Sequence, residues 1–270
     1  MIEGRTFKGD LAKLIRYAVA RTRRPSMLPY HGINVPVGAT PELGSLTRRI
    51  LRGLHERFEI AAVEALVRPE DIVLEVGAGT GVLSAIVARL GAEVHAFEAN
   101  PSLIPSAQAV FSANRVSVDY RTAAIGLQAG QARFFTSRSG SGEGGSLIDR
   151  DTDMVIDVPT VAFSDVLEEI RPSFVAMDAE GAERDLLAKA LPQTVRALTV
   201  EIHPHIIGDD TASALVHDIL SQGFTLMIDQ SGFRTFAFSR PAPSRPARQV
   251  CDRAPHAAPR PRRARSDRVL

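Results

Sequence analysis

Cysteine and long apolar runs are what this chain of 270 residues has least of. Its only cysteine, Cys251, excludes a disulfide within the chain and favours a cytoplasmic location. No stretch of about 18 or more consecutive apolar residues is present, so we expect no membrane-spanning helix. Residues 1–24 scatter charges among their apolar positions, a pattern that a signal peptide does not have. The remaining composition, 44% hydrophobic and 23% charged, is ordinary for a soluble globular protein.

Lysine is also scarce, and the excess positive charge lies at the two ends of the chain. The formal net charge is +1, but residues 1–24 carry a net +5 and residues 241–270 a net +6. Residues 25–240 are therefore acidic, with a net charge of −10. A nucleic-acid-binding site needs a basic surface beside it, so this acidic body argues against a nucleic-acid partner. The preference for arginine over lysine is typical of a GC-rich, bacterial genome.

The composition divides the chain into three parts. Residues 1–57 are predicted to form an N-terminal extension of helices and a strand, and residues 58–240 the main domain. Residues 241–270 are rich in proline, alanine and arginine, with little apolar bulk, and are predicted to form a disordered tail. Within the extension, residues 7–24 have the spacing of a basic amphipathic helix. Three partners fit this helix: its own domain, a second copy in a homodimer, and an anionic membrane surface contacted peripherally.

A glycine turn between a strand and a helix is the most informative feature of the chain. A short apolar strand is followed by three glycines at alternate positions, Gly77, Gly79 and Gly81, and residues 82–88 then have helical apolar spacing. Glycine lets the backbone approach a ligand closely, and the N-terminus of the next helix offers free N–H groups. A dinucleotide-binding turn has the spacing Gly-x-Gly-x-x-Gly. The spacing here, with Glu75 just before it, resembles motif I of the class I methyltransferases that depend on S-adenosyl-L-methionine (SAM).

A second acidic residue follows at the distance that this fold requires. Residues 94–98 form another short apolar strand that ends in Glu98, 17 residues after Gly81. This distance leaves room for one helix and one turn between two parallel strands. A carboxylate at this point can accept hydrogen bonds from both ribose hydroxyls, each worth on the order of 1.5–3 kcal/mol. Glu98 alone does not separate a SAM-binding protein from a nicotinamide-binding one, because both classes use this arrangement.

Strands and helices alternate along the main domain. Helices are predicted at residues 45–67, 82–88, 101–114, 163–169, 182–191 and 209–222, and strands at residues 30–38, 72–76, 94–98, 115–121, 131–136, 154–158, 172–178 and 197–203. Residues 224–228 and 233–238 are predicted to form a closing antiparallel hairpin. The pattern predicts an α/β fold with a doubly wound, mostly parallel sheet. Residues 137–146, rich in glycine and serine, are predicted to form a flexible loop that is either a lid or a surface insertion.

Polar side chains follow two further strands of this sheet. Asp178 and Glu180 come at the end of one strand, and Glu201 and His203 at the end of the next. Ligands of open α/β sheets bind outside the carboxyl ends of the strands, so these four residues should gather on the same edge as Glu98. Aspartate, glutamate and histidine beside a cofactor are the groups that acid–base chemistry needs.

These features together resemble the FkbM family of SAM-dependent methyltransferases over about residues 58–238. The segments that carry the resemblance are residues 74–81, 97–101, 123–126, 177–183 and 200–203. The Asp-x-Glu-Gly-x-Glu element within the fourth segment is the most specific to the family. Many relatives carry aspartate where this chain has Glu75, and the longer side chain should still reach. The resemblance implies a seven-stranded Rossmann-like methyltransferase fold, SAM as the cofactor, and O-methylation of a hydroxyl of a sugar, a glycolipid or polysaccharide unit, or a natural product.

The resemblance also implies roles for individual residues. The implied cofactor-binding residues are Glu75, Gly77, Ala78, Gly79, Gly81, Glu98, Ala99, Ala124 and Asp178. His203 is the preferred general base, since an unperturbed imidazole has a pKa of about 6.5. Glu180 is the alternate base or a binder of acceptor hydroxyls, and Asp178 an anchor of the cofactor or an acid–base group.

Each catalytic assignment has a structural alternative. Asp178 and Glu180 are also suited to cap the next helix, and His203 to a hydrogen-bonded position at a strand end. The chemistry of Asp178, Glu180 and Glu201 fits a divalent metal, but their spacing does not establish a site, and we assign none.

Two other functions stay open on the sequence alone. One is an NAD(P)-dependent oxidoreductase, against which the glycine spacing and the Asp-x-Glu-Gly element argue. The other is a protein that binds SAM without catalysis. The acceptor, a small molecule or a glycan with a free hydroxyl, is named by the resemblance only as a class.

Overall fold

The computed structural model describes residues 25–136, 145–149 and 154–240. The predicted basic helix, nearly all of the predicted glycine-rich loop and the predicted tail lie outside the described residues. The strands are β1 (Leu28–Tyr30), β2 (Ile33–Val35), β3 (Ile72–Val76), β4 (Glu93–Glu98), β5 (Asp119–Thr122), β6 (Ala124–Gly126), β7 (Gly130–Thr136), β8 (Met154–Ala162), β9 (Phe174–Asp178), β10 (Ala197–Glu201), β11 (Thr225–Leu226) and β12 (Thr235–Ser239). The helices are α1 (Pro41–Arg52), α2 (Arg57–Leu66), α3 (Val82–Arg89), α4 (Ile104–Asn114), α5 (Phe163–Ile170), α6 (Glu183–Leu186), α7 (Pro204–Ile207) and α8 (Asp209–Ser221), with 3-10 turns at Pro101–Leu103 and Ile228–Gln230.

A seven-stranded sheet forms the centre of the fold, in the order β11-β12-β10-β9-β3-β4-β5. Strands β10, β9, β3, β4 and β5 run parallel, whereas β12 is antiparallel to both of its neighbours and closes one edge. The predicted α/β fold, with a doubly wound and mostly parallel sheet and a closing hairpin, is confirmed, as are the seven strands. Val76 pairs with both Phe97 and Met177, and Glu201 pairs with Asp178. The carboxyl ends of four strands therefore meet along one edge, where open α/β sheets bind ligands.

Apolar side chains cover both faces of this sheet, because successive residues of a strand point to opposite faces. On one face Val73 and Ala176 pack with the apolar residues of α1, α2, α3 and α4. On the other face Leu74 and Met177 pack with those of α5, α6 and α8. The helices on both faces hold the edge of the sheet in a fixed geometry.

The segment before β3 differs from its prediction. The predicted strand of residues 30–38 is a short hairpin, β1-β2, that turns at His31 and Gly32. The single predicted helix of residues 45–67 is two helices, because Gly53, with φ of 64°, ends α1 in the left-handed conformation. The helix α2 then packs on β10, β12 and α3. It brings its first turn to the edge of the central sheet.

Smaller differences concern the second half of the chain. The helix predicted at residues 182–191 is only the one-turn α6, and the strand predicted at residues 154–158 extends through β8 to Ala162. Strands β6, β8 and β7 form a second sheet of three strands. Ser146 forms an isolated antiparallel bridge with Phe135 of β7. None of the helices among the described residues is long and apolar enough to cross a membrane.

Candidate functional site

A tight turn at the end of β3 forms one wall of the candidate site. Gly77, Gly79 and Gly81 have φ of 84°, 53° and 77°, in the left-handed region that favours glycine. The N–H groups of Gly77 and Ala78 donate to the carbonyl oxygen of Phe97 at 2.9 and 3.0 Å, which ties the turn to β4. A Cβ atom on Gly77 would lie 1.9 Å from the backbone oxygen of the last residue of β9. Glycine is therefore needed at this position for packing as well as for conformation.

Glu98 lies beside the turn, at the end of β4. Its Oε2 accepts a hydrogen bond from the N–H of Gly79 at 2.8 Å, and its Oε1 accepts one from the N–H of Asn100 at 2.7 Å. The hydroxyl of Tyr120 donates to the carbonyl oxygen of Gly79 at 2.8 Å. Burial, together with the charges of nearby carboxylates, raises the pKa of Tyr120, so the phenol stays a hydrogen-bond donor. The turn and the Glu98 carboxylate are thus positioned by one connected network.

Glu75 lies beneath the turn and is buried. Its Oε2 accepts a hydrogen bond from the hydroxyl of Ser84 at 2.5 Å, which links β3 to α3. Burial raises the pKa of Glu75 to about 8, so this side chain carries a proton at neutral pH. This position supports the turn from within.

Three carboxylates converge on one imidazole at the ends of β9 and β10. His203 Nε2 lies 3.5 Å from Asp178 Oδ1, 3.6 Å from Glu180 Oε2 and 3.7 Å from Glu201 Oε1. Glu180 has a φ of 47°, which only a few per cent of residues other than glycine adopt and which recurs at functional sites. The predicted gathering of these four side chains is what the register of β9 and β10 produces, since Asp178 and Glu201 are direct partners.

Glu183 fixes the imidazole from the opposite side. This fully buried carboxylate accepts hydrogen bonds from the N–H of Gly181 at 2.6 Å and from the N–H of His203 at 2.9 Å, and its Oε1 lies 3.2 Å from His203 Nδ1. Burial opposes the charge of His203, but the hydrogen bond to Glu183 and the neighbouring carboxylates outweigh it and raise the pKa to about 9. The ordinary imidazole pKa, on which the general-base assignment depends, therefore does not hold in this environment.

The carboxylates of the cluster carry charge that is only partly compensated. Burial, followed by the charge of Glu201, raises the pKa of Asp178 well above its usual range. Burial and the neighbouring Glu59 raise the pKa of Glu201 to about 7. Glu59 comes from the first turn of α2 and accepts a hydrogen bond from the hydroxyl of Thr235 on β12. Asp178 Oδ1 is a buried atom with no hydrogen-bond partner.

One cavity of about 560 Å³ joins the glycine turn to this cluster. Its volume is within the range of about 300–1,000 Å³ that is typical of small-molecule sites. The predicted site residues that line it are Gly77, Gly79, Glu98, Ala99, Ala124, Asp178 and Glu180. The predicted site residues that do not line it are Glu75, Ala78, Gly81 and His203.

The family follows from a comparison of the sequence with known protein families. Residues 75–229, more than half of the chain, match the model of the methyltransferase FkbM domain. The chain belongs to this family. The resemblance inferred from the sequence is thereby confirmed: the chain is a member of a family of SAM-dependent methyltransferases.

Individual relatives are more distant. A stretch of 60 residues is 45% identical to a protein-L-isoaspartate O-methyltransferase of Methylorubrum extorquens (strain PA1), and it covers 22% of this chain and 26% of that enzyme. Among solved structures, the ribosomal protein L11 methylase of Lactobacillus delbrueckii subsp. bulgaricus has a TM-score of 0.41 at 13% identity, over 68% of this chain and 77% of the other. Aeropyrum pernix fibrillarin in complex with SAM has a TM-score of 0.39 at 8% identity, over 68% of this chain and 74% of the other.

The residues present fit SAM, the cofactor of this FkbM methyltransferase. The turn at Gly77 and Gly79 presents backbone without side chains to the cavity, and Glu98 presents a positioned carboxylate. The acidic wall also suits a ligand that carries a sulfonium and an ammonium group. The individual cofactor-binding roles stay predictions.

Several residues that line the cavity were missed by the sequence analysis. Glu59, Phe58 and Thr235 belong to it, as does Phe233, which is 78% exposed. Phe58 and Glu59 fall in the interior of the single helix that was predicted there, where no pattern marks them as functional. The one available signal was Gly53, because a glycine inside a predicted helix often marks its end.

Proposed function

We propose that this FkbM-family protein transfers the methyl group of SAM to a hydroxyl oxygen of a small molecule or glycan. The observation that carries the proposal is that one cavity is lined both by the glycine turn with Glu98 and by Asp178, Glu180 and Glu201. A cofactor and an acceptor bound in this cavity would meet without either leaving the protein.

The charge of the cavity wall selects the class of acceptor. Six carboxylates line it, against two guanidinium groups; these residues are Glu56, Glu59, Glu98, Asp178, Glu180, Glu201, Arg49 and Arg57. The pKa values of Asp178 and Glu201 are already raised by burial and by their neighbours, so an anionic acceptor such as a carboxylate or phosphate, which would add further negative charge, is disfavoured. A neutral polyol, by contrast, donates hydrogen bonds to carboxylates. This agrees with the absence of a nucleic-acid partner expected from the charge of residues 25–240.

The aromatic side chains at the cavity suit a ring-shaped acceptor. Phe58 and Phe233 both line it, and Phe233 is largely exposed. A sugar ring or a polyketide has an apolar face that packs on such rings, while its hydroxyls reach the carboxylates.

SAM supplies an electrophilic methyl group, so the protein has to align the acceptor and accept one proton. As the acceptor oxygen bonds to the methyl carbon, the bond from that carbon to sulfur breaks, and the hydroxyl proton leaves the oxygen. We assign this proton to Glu180, which lines the cavity and is the alternate base of the sequence analysis. His203 does not line the cavity and is 2% exposed, so an acceptor oxygen does not reach it. Its role is to hold the carboxylates in place.

Turnover of SAM to S-adenosylhomocysteine, measured with pools of hydroxylated acceptors, tests the proposal. We expect turnover with sugars or other polyols and none with the same molecules whose hydroxyls are blocked. The variant Gly79→Val serves as the inactive control. Turnover that requires an amine or a carboxylate, and not a hydroxyl, would contradict the proposal. We also propose a cytoplasmic location, which the presence of a single cysteine supports.

A further inference from the structure

The cluster at the ends of β9 and β10 has the geometry of a metal site. Asp178, Glu201 and His203 each offer one ligand atom, and these three atoms lie within 4.8 Å of one another. The imidazole Nε2 is 3.5 Å from Asp178 Oδ1 and 3.7 Å from Glu201 Oε1. Two atoms that each lie about 2.1 Å from one ion are roughly 3.0–3.5 Å apart, depending on the coordination angle. Small side-chain movements therefore suffice to bring all three atoms onto one ion.

The surroundings of His203 provide a second, independent observation. The side chain is almost wholly buried, and its Nδ1 faces the buried carboxylate of Glu183 at 3.2 Å. Metal-binding histidines nearly always donate their other ring N–H to a carboxylate or a carbonyl, which fixes the ring and directs the free nitrogen to the ion. Here the other nitrogen, Nε2, faces Asp178, Glu180 and Glu201 at distances longer than those of good hydrogen bonds.

Asp178 adds a third observation. Its Oδ1 is buried and has no hydrogen-bond partner, although buried oxygens in proteins rarely lack one. Such an unsatisfied atom is costly unless a ligand completes it. The same atom is the ligand atom nearest to His203 Nε2. A cation between them would satisfy both.

We propose that Asp178, Glu201 and His203 bind one divalent metal ion of the Mn²⁺ class at the carboxyl ends of β9 and β10. Carboxylates suit hard ions such as Mg²⁺ and Mn²⁺, whereas imidazole suits transition metals, so Mn²⁺ satisfies both preferences. The ion would act as a Lewis acid on the acceptor hydroxyl and lower its pKa. This Lewis-acid role rests on the proposed function, whereas the binding of the ion does not.

Titration of Mn²⁺ into the EDTA-treated full chain, followed by the electron paramagnetic resonance signal of free Mn²⁺, tests the site directly. We expect saturation at one ion per chain. Asp178→Asn, Glu201→Gln and His203→Gln should each weaken binding at least about 10-fold, as loss of a ligand or of its support typically does. Glu168→Gln removes an exposed carboxylate of α5 and should leave binding unchanged. Absence of saturable binding, or binding that none of the three variants weakens, overturns the proposal.

Two further measurements distinguish a loss of metal binding from unfolding and from a failure of the proposed function. Thermal melting shows whether each variant is folded, and Asp178→Asn, whose side chain is partly exposed, is the variant least prone to unfold. Turnover with and without EDTA separates the two proposals. If Mn²⁺ binds as expected but no hydroxylated acceptor is methylated, the ion site stands and the proposed function fails. If acceptors are methylated at full rate in EDTA and no Mn²⁺ binds, the proposed function stands and the ion site is refuted.

Discussion

The central sheet has a buried aspartate at the amino ends of β3, β9 and β10 and a group of carboxylates at the carboxyl ends of β9 and β10, and the two sites differ in how completely their charges are paired. At the amino ends, Asp71 precedes β3, Ser173 precedes β9 and Arg196 precedes β10. Asp71 is 2% exposed and accepts hydrogen bonds from the N–H of Arg68 at 2.7 Å, the hydroxyl of Ser173 at 2.7 Å and Nε of Arg196 at 2.9 Å. A second nitrogen of Arg196 pairs with its other oxygen. Every acceptor of this buried carboxylate faces a donor.

At the carboxyl ends of these strands, the cluster of Asp178, Glu201 and His203 has more carboxylates than donors. The pKa values diverge accordingly. Burial alone would raise the pKa of Asp71, but Arg196 and Ser173 outweigh it and lower the pKa. At the opposite end burial and the charge of Glu201 together raise the pKa of Asp178. The comparison shows that burial alone does not decide the pKa of a carboxylate, because hydrogen-bond donors can outweigh it. The paired end stabilises the sheet, and the under-compensated end is available to a ligand.

The largest expected effect is the loss of SAM binding in Gly79→Val. Position 79 lines the cavity and has a φ of 53°, so a branched side chain is strained there and also occupies the ligand volume. We expect calorimetry to detect no SAM binding. The melting temperature should stay close to that of the wild type, because the Asp71–Arg196 pair at the amino ends of the strands is unchanged.

Gly126→Ala is the matched control, because its Cβ would meet only the carbonyl oxygen of Gln128, at an ordinary 3.7 Å. Wild-type SAM affinity in Gly79→Val would show that the cofactor lies elsewhere.

The next largest effect is a slower methyl transfer in Glu180→Gln. If Glu180 accepts the hydroxyl proton, single-turnover rates should fall by about 10²–10⁴-fold, the usual effect of removing a general base. SAM affinity should stay nearly unchanged, because the glycine turn and Glu98 are intact. Glu168→Gln should keep the wild-type rate. A variant that raises only the KM of the acceptor would instead make Glu180 a binder of acceptor hydroxyls.

The amino and carboxyl ends of the sheet strands also differ in how many of their contacts the sequence predicts. The glycine turn and Glu98 are local patterns, and Asp178 and Glu201 follow from the rule that ligands bind at the carboxyl ends of parallel strands. The pairing of Asp71 with Arg196 joins residues far apart in the chain and depends on the strand order, in which β3 and β10 both flank β9. No spacing in the sequence encodes that order.

The sequence also did not predict the contact between α2 and the carboxylate cluster. Glu59 reaches the cluster only because Gly53 divides the predicted helix and α2 then packs across the edge of the sheet. The altered pKa of His203 depends on Glu183, which was recognised as part of a motif and not as the buried partner of the imidazole. Side-chain environments of this kind require the packed structure.

A pair of isosteric substitutions tests the comparison through stability. Asp71→Asn removes the charge to which Arg196 is bonded, and we expect the free energy of unfolding to fall by about 2–4 kcal/mol. Asp178→Asn removes a carboxylate whose Oδ1 has no hydrogen bond to lose, so the change should stay below about 1 kcal/mol.

Urea denaturation measures both variants, with the exposed Asp157→Asn as the control. Equal losses of unfolding free energy in Asp71→Asn and Asp178→Asn would mean that the two carboxylates are paired to the same degree.

The smallest expected effect is the pH dependence of the Asp71 contribution. Because the folded pKa of Asp71 is lowered, the folded state binds its proton less tightly than the unfolded chain does. The stabilisation is therefore fully present above the unfolded pKa of about 3.9 and is lost as the pH falls through the folded pKa. The difference in unfolding free energy between wild type and Asp71→Asn should stay constant from about pH 7 to pH 5 and shrink below about pH 4. Asp157→Asn, which changes an exposed carboxylate of β8, serves as the control. If the difference in unfolding free energy already shrinks between pH 7 and pH 5, another group titrates in this range. The stabilisation would then not come from the ionised Asp71 carboxylate, and the contrast with Asp178 would fail.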